Sequence, residues 1–199
     1  MNEQQIFSDM RAGMFYRLIV LRIMAAFPAF ALQEKAASWW WRLVKRVFPA
    51  SFEAITTIGT TVWVPPTWKD WPPIDRALIL AHEWVHMLQR KRFRFFILRY
   101  LLALPAWWNP FRVRVELEAY AAGAMIENAL TGTVDFDANA IEAAQALAST
   151  TYLWVAKGAK RQRDAITVFH DFTHDDASRE VLQLMRDVID TFKGDGWQS

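Results

Sequence analysis

At 199 residues the chain has the size of one ordinary domain. With 53% hydrophobic and 22% charged residues it is too apolar to be disordered, and a formal net charge of +2 gives no expectation of a nucleic-acid partner. It contains no Cys, which excludes disulfides, thiolate zinc sites and cysteine nucleophiles, so any bound metal must be held by His and carboxylates.

Taken in chain order, the first apolar stretch runs from Met14 to Leu32 but is broken by Arg17, Arg22 and Pro28, with Glu3 and Asp9 ahead of it. It is neither a clean signal peptide nor a clean membrane span, which points to the cytoplasm; an amphipathic helix on the body of the protein or on a membrane surface is expected. From Ile55 to Val64, "ITTIGTTVWV" is rich in β-branched residues around Gly59 and is ended by Pro65 and Pro66, as in a short hairpin or edge strand. A helix then starts near Ile74 and Asp75, with Ala77, Leu80, Ala81, Trp84, Val85 and Leu88 among its apolar positions. Phe93 to Trp108 is aromatic and aliphatic but interrupted by Arg94, Arg99 and Pro105, and reads as a helix and loop. Beside it Arg90, Lys91, Arg92, Arg94 and Arg99 form one local basic cluster, as at a solvated helix end. A long helix is expected from near Pro110 to Thr131, stopped by Gly132; further helices follow from Ala138 to about Lys157 and from Ser178 to Phe192.

These elements predict a mostly α fold with a small β-hairpin or short sheet (α+β), in a single domain. Its parts would be an N-terminal helical arm over 1–50, a core over 51–131 with two motif-bearing helices, and C-terminal helices over 132–199. Eleven Trp and fourteen Phe suit a core, a partner interface or a membrane boundary equally well.

Chemistry concentrates in His82-Glu83-Trp84-Val85-His86. Two His one turn apart on a helix project from one face and can grip one cation. Glu83 is rotated by about a hundred degrees from His82, which places a carboxylate beside such a metal, where it can take a proton from bound water. A catalytic zinc takes three protein ligands and keeps one position for water, so one more ligand is needed. Glu116, on the later helix and followed by the small Ala119, is the favoured third ligand, with Glu118 as its rival. The two carboxylates differ by about two hundred degrees around the helix and cannot both reach one ion. A second pair, His170 and His174 in "HDFTHDD", reads as a polar acidic loop before the last helix; in helical form it would be another candidate metal pair.

The segments "LILAHEWVHMLQ" and "ELEAYAAG" resemble the gluzincin branch of the HExxH zinc metallopeptidases, in particular its minimal single-domain bacterial and phage forms. The His-ligated metzincin pattern is absent, because Gln89 and Arg92 stand where its Gly and third His would be. The resemblance covers about Ile55 to Leu130 and implies a zincin-like core, a Zn2+ cofactor and hydrolysis of peptide or protein substrates. It implies His82, His86 and Glu116 as metal ligands and Glu83 as general base, with a substrate-binding strand over Thr57, Gly59, Thr60, Thr61 and Val62. At Tyr120 this chain departs from relatives that place an Asp or Asn there, so a phenol would have to support a ligand histidine instead. Tyr120, Tyr152 and His170 are chemically able to assist an oxyanion. Two alternatives belong to other classes: a membrane- or partner-binding structural protein with a non-catalytic zinc site, or a zinc amidase acting on a non-protein amide. In the first, Met14 to Leu32 or Phe93 to Trp108 would make peripheral membrane contact.

Overall fold

The computed structural model describes residues 3–47, 54–102, 109–149, 158–174, 183 and 186–190. Among these the chain is mostly helical with a small three-stranded mixed sheet, as the sequence predicts. Its contacts divide it into two compact units, Met1–Trp84 with Asp190–Ser199 and Val85–Ile189.

In the first unit, helix α1 (Glu3–Ala26) buries Phe15, Ile19 and Ile23, a stripe repeating at one-turn intervals. Strand β1 (Ala31–Glu34), helix α2 (Trp39–Val47) and strands β2 (Thr56–Ile58) and β3 (Thr61–Val64) follow. The expected hairpin is β2 and β3, antiparallel with Thr57 opposite Val62, and its turn contains Gly59 at φ 71. A left-handed turn residue carries no steric cost in glycine.

The sheet order is β1-β3-β2, with β1 parallel to β3 and Leu32 opposite Val62. This corrects two expectations. Ala31 and Leu32, at the end of the stretch read as a helix, belong to a strand, and β3 is the central strand, so the backbone of Thr61 and Val62 is flanked on both sides. The reason is tertiary: "ALQE" has no β-branched residue and becomes a strand by pairing. Thr60 secures that pairing, its carbonyl accepting from Ala31 N at 3.1 Å and its Oγ1 donating to Ala29 O at 2.9 Å. Lys35, fully buried just after β1, donates to Ala54 O and to Thr56 Oγ1 (3.0 Å) and lies 4.2 Å from the centroid of the Trp41 ring. A buried ammonium is tolerated because its donors are satisfied in this way.

Helix α3 (Pro73–Arg92) begins with Pro73 and has Asp75 in its first turn and Arg90, Lys91 and Arg92 in its last, which complements its dipole at both ends. It runs through the boundary between the units. The second unit continues with α4 (Phe96–Leu102), α5 (Pro110–Thr131), α6 (Phe136–Leu147) and α7 (Ala159–His174). In the turn into α4, Phe95 adopts φ 61, a conformation costing a non-glycine residue about 1 kcal/mol. Both ends of α5 are where the sequence puts them. Asn109 caps the start, accepting from Arg112 N at 2.9 Å, and Gly132 at φ 67 ends it with its N–H on Asn128 O at 2.7 Å.

The second core joins α5, α6 and α7 through Leu117, Ala121, Ala143, Leu147, Ala165 and Phe169, where the alanines let helices approach closely. Phe169 and Phe172 bury one face of the end of α7, which is why His170 to His174 are helical instead of the expected loop; Asp175 and Asp176 lie outside the described residues. Asp135 caps α6, accepting from Asp137 N and Ala138 N at 3.0 Å. The helix expected to reach Lys157 ends at Leu147, with Ala148 as its C-cap, and 150–157 lie outside the described residues, as does much of the helix expected from Ser178 to Phe192, of which 186–190 is helical.

Candidate metal centre

His82 and His86 lie on successive turns of α3, and Glu116, 1% exposed, comes from α5. One ligand atom from each of these three residues lies within 4.8 Å of the other two. Glu116, not Glu118, is the carboxylate that meets the histidines. His86 Nε2 and Glu116 Oε2 are 3.4 Å apart, beyond a normal N–H···O separation. Two donors bound to one tetrahedral zinc at about 2.1 Å stand roughly 3.4 Å apart, so this spacing suits a shared cation better than a direct hydrogen bond.

The other face of His86 decides which nitrogen is offered. Its Nδ1 is 2.9 Å from Gln89 Oε1, while Gln89 Nε2 donates to Val115 O at 2.8 Å and to Glu118 Oε2 at 3.1 Å. Since those two partners only accept, the Gln89 amide nitrogen must face them and its oxygen must face His86. A neutral His86 therefore carries its proton on Nδ1 and presents the Nε2 lone pair toward Glu116, the tautomer a metal requires. Glu118 is engaged elsewhere: besides Gln89 it takes Arg92 Nη1 at 3.4 Å. It thus orients the residue that orients His86.

Tyr100 on α4 donates its hydroxyl to Glu116 Oε1. Burial, and then the negative charge of Glu116, push the Tyr100 phenol well above its usual range, so it stays a proton donor at neutral pH. With Oε1 occupied, Oε2 is the oxygen left toward His86. Tyr100 is held in turn by stacking on Phe96 (5.6 Å between centroids), by the Arg112 guanidinium 4.7 Å from its ring, and by Asn109 Nδ2 on its carbonyl at 3.2 Å.

Glu83 is 8% exposed on α3 beside the two histidines. Tyr120 is half-buried and packs against the α5–α6–α7 core, and the residue found at His86 Nδ1 is Gln89. His170 Nε2 lies 3.2 Å from Asp137 Oδ1; the side chain of His174, like Tyr152, lies outside the described residues. Sequence reasoning missed Gln89 and Tyr100 as supporting residues. Gln89 had a readable signal, since it is one turn after His86 on the same helix face. Tyr100 had none, because its contact with Glu116 joins two helices.

Comparison with models of known protein families, with curated proteins and with solved structures gave no match.

Proposed function

We propose that the chain is a zinc-dependent metallopeptidase of the Glu-ligated HExxH type, with a zincin-like core in which His82, His86 and Glu116 hold the metal and Glu83 is the general base. The observation that carries this reading is the convergence of the three donor side chains, with the Nε2 lone pair of His86 turned toward Glu116 by Gln89. The donor set of two imidazoles and one carboxylate leaves one tetrahedral position open, as in catalytic and not structural zinc sites.

A bound zinc ion would acidify a water molecule and polarise the scissile carbonyl. Glu83 would take the proton of that water and pass it to the leaving amine; its carboxylate is nearly buried. An extended peptide pairs along the outer edge of β2, at Thr57, because β3 is flanked on both sides.

Glu83→Gln tests the reading. The variant keeps its zinc by elemental analysis and loses hydrolysis of an unstructured peptide mixture by about a hundred- to ten-thousandfold. Hydrolysis at the parental rate would overturn the role of Glu83, and zinc-free protein after loading and dialysis would overturn the metal site.

A further inference from the structure

Between Glu83 and Glu116 the chain contains no Asp or Glu. Within this stretch Arg90, Lys91, Arg92, Arg94 and Arg99 are all exposed around the turn from α3 into α4. Arg90, Lys91 and Arg92 belong to the last turn of α3, where positive charge favours the helix dipole. That accounts for these three, and Arg99 sits likewise in the last turn of α4, but Arg94 lies in the turn between the two helices.

The dipole accounts still less for the apolar side chains set among these cations. Phe95 is 63% exposed and Leu98 53% exposed. Phe95 also takes the left-handed backbone, φ 61, that glycine adopts without cost, so a large ring is held out at the tip of the turn at the expense of strain. The Arg94 guanidinium lies 5.0 Å from the centroid of that ring. Exposed aromatic and aliphatic groups ringed by arginine and lysine match the boundary between lipid headgroups and acyl chains, where rings enter the apolar phase and cations meet phosphates. Nucleic acid would satisfy the cations but offers no such phase to Phe95 and Leu98.

We propose that the corner between α3 and α4 docks the protein on an anionic membrane, with Phe95 and Leu98 entering the interface and Arg90 and Arg94 meeting the headgroups. The contact is peripheral, since no helix among the described residues is long and apolar enough to cross a membrane. The inference does not depend on the peptidase reading.

Co-sedimentation of the full chain with phosphatidylcholine vesicles, with and without about one-third phosphatidylserine, tests it. Binding is expected only with phosphatidylserine and weakens as salt rises. The R90Q/R94Q double variant lowers the partition coefficient about thirtyfold, as expected for two basic side chains. Phe95→Gly lowers it about tenfold, while relief of the backbone raises the melting midpoint by a few degrees. A packing role for Phe95 would lower that midpoint instead. Equal binding to both vesicles, undiminished binding by R90Q/R94Q, or retention on random-sequence RNA without vesicle binding would each overturn the proposal.

Discussion

His82 and His86 on α3 and His170 and His174 on α7 share one spacing, a single helical turn, but meet different surroundings. Nε2 of His86 faces Glu116, whose side chain is 1% exposed, and its Nδ1 is fixed by an amide that is itself fixed from two sides. His170 faces Asp137, whose side chain is 86% exposed, at 3.2 Å. The spacing along the helix is therefore the same for both pairs. What separates the two regions is the third group: a carboxylate withdrawn from water must be compensated by protons or cations, whereas an exposed one is compensated by water.

The largest expected effect comes from removing the buried carboxylate. Glu116→Ala weakens zinc binding by more than about a hundredfold, beyond the range for a supporting residue, as measured by competition with a chromogenic chelator. Its neighbour sharpens the contrast: Glu118→Ala retains zinc within a few fold but lowers stability by about 1–3 kcal/mol in urea unfolding, because Gln89 and Arg92 lose their acceptor. If Glu118→Ala released the metal and Glu116→Ala did not, the assignment would be reversed.

Gln89→Ala frees the His86 tautomer and is expected to cost ten- to a hundredfold in zinc affinity by isothermal titration. Tyr100→Phe, which withdraws the donor from Glu116 Oε1, is expected to cost about tenfold in the same assay. It also carries a pH signature. The folded-state pKa of Tyr100 is raised, so its contribution to stability is fully present below about pH 10 and is lost as pH rises above that. Melting curves of the parent between neutral and strongly alkaline pH should show this loss, and those of Tyr100→Phe should show less of it.

The smallest effect is reserved for the other pair. His170→Ala leaves zinc binding unchanged and shifts stability by less than about 1 kcal/mol, as for an exposed ion pair. A zinc deficit in native mass spectrometry of His170→Ala would remove the distinction between the two regions.

Much of this was readable before any coordinates. The limits of α5 follow from Pro110 at one end and Gly132 at the other, because a first-turn proline and a left-handed stop are local chemistry. The hairpin follows from β-branched residues around Gly59. β1 could not be read this way, since its four residues gain strand geometry only from β3. The helical state of His170 to His174 was equally hidden, because it rests on Phe169 and Phe172 meeting alanines from two other helices.

At the candidate site the division is the same. The amino-acid order by itself determined that His82 and His86 share a face, that Glu83 stands beside them, and that Glu116 and Glu118 cannot serve one ion together, because helical geometry is set by neighbours in the chain. Only the tertiary structure decided that Glu116 turns toward His86, that Gln89 and Glu118 hold the ring in one tautomer, and that Tyr100 occupies the second carboxylate oxygen. Those choices depend on how α3, α4 and α5 pack, and packing is set by burial and hydrogen bonding between residues far apart in sequence.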